Sequence, residues 1–302
     1  MMLVEKDNRL ILDEDYVNQF NSNGKFDYPF GNNGLPKKEY LKSVEETINS
    51  SKYFTLLRDY LHKKLFDADA NGWAIVSGIP LADMQADCPI LPTFLASIIG
   101  TPFRMVGRLP EWQHLHVDLK AEPYRFGGIG YQPLHIDGVN TDYPPDVVAL
   151  GCARNDPGGG GASLIAETKD LLAQLDVNHI AELSKSIYSE GKFYDLKHVG
   201  GEKKPFAVIE IDKKHFKVRF SGKILPSELP KNSPHRPILE LVNNMLEKVS
   251  ISKMLIGGEI LFINQLKAFH GRMPLSEDQG KYEKSERRYF RQGFIRIAGG
   301  WK

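Results

Sequence analysis

From residue 129 to residue 297 the chain is a succession of short apolar runs broken by Gly, Pro and Asn, and this spacing restricts the fold more than any other feature. The runs at 133–137, 146–154, 162–167, 206–211, 215–220, 259–265 and 289–297 have the length and composition of strands. Strands at this density pair into two packed sheets or close into a barrel. The opening of the chain has a different texture. Within 37–69, Tyr40, Leu41, Val44 and Ile48, then Phe54, Leu57, Leu61 and Leu65, recur at helical spacing among charges, which predicts two amphipathic helices on an outer face. The apolar run 72–79, closed by Pro80, predicts a buried strand, and 91–99 a helix stopped by Gly100. Further helices are expected at 169–175 and, with the clearest periodicity, at 237–255.

A chain of 302 residues, 41% hydrophobic and 25% charged, buries enough apolar surface to fold without disulfides or a structural metal. No internal repeat, low-complexity tract or Pro/Ser-rich linker divides it, and the glycines at 158–161 are too few for a linker. One domain over 1–302 is expected, with a helical flank at 1–70 and a strand-rich core at 71–302 that carries a helical insert at about 168–256. Thirty-nine Lys plus Arg against thirty-eight Asp plus Glu give a net charge of +1, so no global field favours nucleic acid. A membrane is not expected as a partner either, since no run reaches the ~18 apolar residues of a spanning helix. Residues 1–7 lack the basic and apolar regions of an export signal. Cys88 and Cys152 form no C-x-x-C pair, which argues against a disulfide framework or a cysteine zinc site and points to the reducing cytoplasm.

The chemistry-bearing residues start at His135-x-Asp137. Residues i and i+2 of a strand point to the same side, so an imidazole and a carboxylate converge there as two members of a facial metal triad. Two histidines and one carboxylate with open positions suit non-haem Fe(II), because those positions take a bidentate co-substrate and dioxygen. His116-x-Asp118 repeats the pattern nineteen residues earlier but leads into a charged stretch, whereas His135 follows a Gly-rich approach and precedes an apolar strand. His135 and Asp137 are therefore preferred. A third ligand is offered by His270, at a Gly-marked turn after the run 259–265. Downstream, Arg287, Arg288 and Arg291 lie among aromatics in a strand-like run, where a guanidinium fork could pair with a carboxylate in two parallel hydrogen bonds. The signatures H-E-x-x-H, G-x-S-x-G and the P-loop are absent.

Taken together, His135-x-Asp137, the Gly-rich turn ending in Ser163, the stretch from Asn264 through His270 to Pro274, and Arg288 to Arg291 resemble the taurine dioxygenase and clavaminate synthase-like family of Fe(II)/2-oxoglutarate-dependent oxygenases. The similarity spans 72–296. It implies an α+β chain with a mainly β core, a double-stranded β-helix (jelly roll) with flanking helices. Iron would be held by His135, Asp137 and His270, with 2-oxoglutarate chelating it and Arg288 gripping the distal carboxylate. Arg287 or Arg291 could take that role instead, because the insert at 276–286 lengthens the path from His270. Ser163 falls where the family has a hydroxyl near the co-substrate.

The implied reaction consumes O2 and 2-oxoglutarate, releases succinate and CO2, and hydroxylates or desaturates an aliphatic C–H of a small polar metabolite. The intact Asp137 argues against halogenation, for which relatives replace the carboxylate. An amino acid or derivative, free or carrier-bound, is the expected substrate, with Gln132, Asn140, Arg219, Arg272 and Arg291 as candidate contacts. Two alternatives are a cupin-like binding module, which would not need Arg288, and an oxygenase acting on a protein.

Overall fold

The computed structural model describes residues 4–23, 26, 29–105, 110–188, 200–201, 205–212, 215–227 and 229–301. Of the N-terminal segment expected to carry no export signal, residues 1–3 lie outside these; so do parts of the expected helical insert at about 168–256.

The chain begins with β1 (Val4–Lys6), β2 (Arg9–Ile11) and α1 (Glu14–Asn23), followed by α2 (Lys38–Ser50) and α3 (Lys52–Phe66). Next come β3 (Trp73–Ser77), α4 (Leu81–Gln85), α5 (Ile90–Ile99), β4 (Thr101–Phe103) and β5 (Gln113–His116). The strand-rich part holds β6 (Gln132–His135), β7 (Val147–Arg154) and β8 (Ser163–Glu167). Helices α6 (Thr168–Leu172) and α7 (Val177–Leu183) precede the hairpin β9 (Ile209–Asp212) and β10 (His215–Val218). After α8 (Ile224–Ser227) and α9 (Arg236–Val249) come β11 (Ile251–Lys253), β12 (Glu259–Asn264), β13 (Ala268–Arg272) and β14 (Tyr289–Arg296).

These strands form two principal sheets. The larger runs β1-β2-β3-β12-β7-β14-β4, with β5 also paired to β14, and the smaller runs β11-β8-β13-β6. Side-chain alternation explains how they pack. In β7, Val147, Ala149 and Ala153 join the cluster under the N-terminal helices, while Val148, Leu150 and Cys152 join a cluster that also contains Ile165 of β8 and Ala268 of β13. The large sheet is thus buried on both faces, which is why β7 and β12 read as continuous apolar runs. Helices α2 and α3 cover one face through Tyr40, Val44 and Ile48 and through Phe54, Leu57, Leu61 and Leu65, all buried, as their spacing requires. The small sheet covers the other face and carries α9 on its far side, where Leu239, Val242 and Leu246 pack with Leu164 and Phe269. No described helix is long and apolar enough to cross a membrane.

Three expectations need correction. The periodic segment 237–255 is not one helix: α9 ends at Val249, Ser250 turns extended, and β11 pairs with β8. Hydrogen bonding to a sheet edge outweighs the helical periodicity there. The opening carries more than one strand, because β1, β2, β4 and β5 are three or four residues long, too short to show alternation, and are recruited by the large sheet. A helix not anticipated, α7, is started by Asp176, whose carboxylate accepts from the backbone N–H groups of Asn178 and His179.

Candidate active site

The small sheet brings two histidines into register. His135 ends β6 and lies directly opposite His270 of β13, with ring centroids 4.2 Å apart. Their neighbours Leu134 and Phe269 point to the α9 side, so alternation turns both imidazoles toward the space between the sheets. Gly138, at φ 69°, turns the chain just past Asp137, a conformation that favours glycine. Asp137 Oδ1 lies 3.7 Å from His135 Nε2 and Oδ2 3.3 Å from His270 Nε2. One ligand atom from each of the three residues lies within 4.8 Å of the others, and no other such group of His, Cys, Asp and Glu occurs among the described residues. Gly271 allows the close approach behind the site, since a Cβ there would meet Gln132 O at 2.8 Å.

The surroundings orient these groups for a metal. The Nδ1 of His135 bonds the carbonyl of Pro133 at 2.8 Å, which assigns its proton to Nδ1 and the lone pair to Nε2. Burial, then the Lys223 and His270 charges, hold this imidazole well below its ordinary pKa and therefore neutral. Burial pushes the Asp137 carboxyl up, but the hydrogen bond from the His270 imidazole beside it and the Lys223 ammonium outweigh this and keep the group far below the usual carboxylate range. Gln292 of β14 donates to Asp137 Oδ2 at 2.7 Å. Gln265 accepts from the Asp137 backbone N–H at 2.6 Å and donates to Pro145 O at 2.8 Å. Two imidazoles and an ionised carboxylate converge here, with His135 and Asp137 held from behind, and this donor set fits a divalent transition metal with open positions.

The triad opens into a cavity of about 60 Å³ also lined by Gln132, Ser163, Lys223, Arg272, Arg288 and Gln292. A larger cavity of about 580 Å³ lies elsewhere, beside His116, Arg154 and Tyr289. Room alone does not make a site, and no three-ligand group faces it, so the chemistry belongs to the smaller cavity. His116 itself is exposed on β5, stacked on Tyr289.

Among the candidate arginines, alternation along β14 decides the placement. Phe290 and Phe294 face the inter-sheet space, and Arg288 shares their parity. Its guanidinium is buried and lies 3.6 Å from the Phe290 ring centroid; it makes no hydrogen bond or ion pair with another described residue. Burial pushes it down to about 9, with Arg272 adding like-charge repulsion. A guanidinium seldom gives up its proton, so an anion is what relieves such a site. Arg291, of opposite parity, is not among the described lining residues: it donates to the carbonyls of Ala86, Asp87 and Trp112. Arg287 Nε donates to Tyr282 O.

Other candidates divide similarly. Gln132 and Ser163 line the cavity. So does Arg272, although its Nη2 already donates to the carbonyls of Gly128 and Gly130 at 2.5 and 2.7 Å. Asn140 and Arg219 are buried but are not among its described lining residues. Arg219 pairs with Glu210 at 3.1 Å, donates to Thr141 O and Asp142 O, and stacks on Trp301. Its position in an alternating strand suggested the cavity, but these backbone carbonyls take it. Sequence reasoning missed Lys223, Gln265 and Gln292, since a lone lysine or glutamine in a loop or strand carries no pattern.

No protein-family model matches the sequence, and no curated protein matches it. Among solved structures, an asparagine oxygenase in complex with Fe(II), 2S,3S-3-hydroxyasparagine and succinate superposes with a TM-score of 0.74 at 18% identity, covering 95% of this chain and 93% of that one. The chain has this oxygenase's fold. The non-heme iron oxygenase OrfP in complex with Fe and alpha-ketoglutaric acid gives a TM-score of 0.64 at 14% identity, over 86% of this chain and 85% of that one. Similarity at this identity establishes architecture; activity must be argued from the site.

Proposed function

We propose that this protein is an Fe(II)- and 2-oxoglutarate-dependent oxygenase that hydroxylates an aliphatic C–H of a small polar metabolite, an amino acid or derivative. One observation carries the reading: the His135–Asp137–His270 constellation, with both imidazoles buried and the carboxylate half-buried, shares a cavity with Arg288, a buried guanidinium that makes no hydrogen bond or ion pair with another described residue. A binding module needs the first and has no use for the second. The likeness to oxygenases of asparagine and to OrfP supports the same class of substrate. The two sheets are read as the halves of a jelly roll within one domain, flanked by the helices of 1–70 and interrupted by the insert at about 168–256. The free Cys88 and Cys152 thiols suit a reducing cytoplasm.

In this reading His135, Asp137 and His270 hold iron, which with 2-oxoglutarate and O2 supplies the oxidising chemistry, releasing succinate and CO2. Arg288 binds the distal carboxylate of 2-oxoglutarate through its fork, held flat against Phe290. Gln292 and Gln265 hold the Asp137 carboxylate and backbone in place, so that the triad does not reorganise on loading. Leu115, Phe126 and Leu150 supply apolar wall that keeps water from the reacting centre. Ser163 and Gln132 face the cavity as polar contacts for co-substrate or substrate.

Anaerobic titration with Fe(II) and then 2-oxoglutarate tests the proposal. A weak visible charge-transfer band is expected in the wild type and not in His135→Ala. Iron binding without the band would point to a metal-binding jelly-roll module instead.

A further inference from the structure

The glycine run at 158–161 and the insert at 276–286 are joined by one buried carboxylate. Asp156, just past the end of β7, is 2% exposed. Its Oδ1 accepts from the backbone N–H of Gly158 at 2.9 Å, the Ser276 hydroxyl at 2.8 Å and the Gln279 amide at 2.6 Å. Its Oδ2 accepts from the backbone N–H groups of Gly160 at 3.1 Å and Ser276 at 2.6 Å. Burial pushes this carboxyl up, but the hydrogen bonds from Ser276, Gly158 and Gln279 outweigh it and hold the group below its ordinary value, as an anion. The glycines let the two segments close. A Cβ at Gly158 would meet the Ser276 side chain at 2.3 Å, and one at Gly160 the Ser276 nitrogen at 2.5 Å.

This tie lies beside the cavity. Ser163 and Arg272, both lining residues, pair across β8 and β13, and beyond that pair the chain leaves the sheet as the two segments that Asp156 holds together. There the Gly161 N–H donates to Pro274 O at 2.8 Å and the Met273 N–H to Ala162 O at 2.9 Å. Gly161, at φ 77°, borders Arg288: a Cβ there would stand 3.5 Å from both Cδ and Nε of that side chain. Arg288 makes no hydrogen bond or ion pair with another described residue, so its fork is aimed by packing, with the Phe290 ring and this turn as neighbours. We propose that Asp156 is a positioning residue for co-substrate binding: it fixes the glycine turn against Arg288 and so keeps the guanidinium aimed at the distal carboxylate of 2-oxoglutarate. This deepens the oxygenase reading and rests on it. A bidentate pair depends on the angle of the fork, so a turn that drifts weakens binding without removing any group that touches the co-substrate. The role needs a carboxylate, which only accepts; an amide in its place would point N–H groups at N–H and O–H donors.

The test uses the full chain with Mn(II). Metal affinity is read by competition with a chromophoric chelator, and 2-oxoglutarate affinity by calorimetric titration of the loaded protein. Asp156→Asn, nearly unchanged in shape, should bind 2-oxoglutarate about tenfold more weakly, equivalent to about 1.4 kcal/mol, and Mn(II) within about twofold of wild type. In an Arg288→Lys background, where no fork is left to aim, the same substitution should cost less than about threefold. A general loss of packing would instead lower both affinities and would not depend on Arg288. Ser276→Ala removes one hydroxyl donor and keeps the carboxylate, and should weaken 2-oxoglutarate about threefold at unchanged Mn(II) affinity; it carries the comparison if Asp156→Asn does not fold. Wild-type affinity for 2-oxoglutarate in the variant tested, equal losses for metal and co-substrate, or a loss undiminished in the Arg288→Lys background each overturns the proposal and leaves the oxygenase reading intact. A wild type that binds Mn(II) but not 2-oxoglutarate overturns both.

Discussion

Replacing Arg288 by Met separates a binding role from a structural one, because the two predict effects of opposite sign. In the free protein the guanidinium is buried without an anionic partner and stacks 3.6 Å from the Phe290 ring centroid. The stack returns about 2 kcal/mol at a desolvated site. An uncompensated buried charge costs several kcal/mol, and an apolar side chain of similar length removes that cost. The variant is therefore expected to be more stable than wild type by about 1–3 kcal/mol in urea unfolding, without co-substrate. Its affinity for 2-oxoglutarate should fall, since truncating one side of a buried charge pair costs ~2–5 kcal/mol, or about 30-fold to several thousand-fold in Kd. Calorimetric titration of 2-oxoglutarate into Mn(II)-loaded protein gives the second quantity. A variant that is less stable and binds 2-oxoglutarate within tenfold of wild type would refute the reasoning and make Arg288 a packing residue.

Two further outcomes follow from the groups behind the triad. Gln292→Leu removes the donor to Asp137 Oδ2 and should weaken metal binding about 10- to 100-fold, measured by competition with a chromophoric chelator, with the fold retained. His135 is buried and held below its ordinary pKa, so the unfolded chain takes up a proton near pH 6.5 that the folded, metal-free protein refuses. Stability should consequently fall as pH drops from 6.5 to 5, by up to about 1.4 kcal/mol per pH unit for this one proton, and His135→Asn should flatten the slope by that amount. An unchanged slope would show that other groups carry the acid sensitivity.

The parts of this protein legible from sequence are those with a local period. The stripes of α2 and α3 and the doubly buried runs of β7 and β12 follow from the 3.6- and 2-residue repeats of their own backbones, whereas the strand expected over 133–137 ends at His135, and Asp137 reaches the site from the turn that follows it. The parity of β14 was readable in the same way: Phe290 and Phe294 mark the inner face, which separates Arg288 from Arg291. Only the tertiary structure decided the rest. Ser250 could have continued a helix but ends it, because the edge of β8 offers hydrogen-bond partners to the residues that follow. Arg219 could have faced the cavity, yet the carbonyls of Thr141 and Asp142, some eighty positions away in the chain, lie where its guanidinium reaches. Lys223 lies 2.7 Å from a histidine eighty-eight positions distant, and Gln292 meets a carboxylate from one hundred and fifty-five. Neither proximity leaves a trace in local composition, because side-chain chemistry sets what a residue can bind, whereas chain topology sets what it meets.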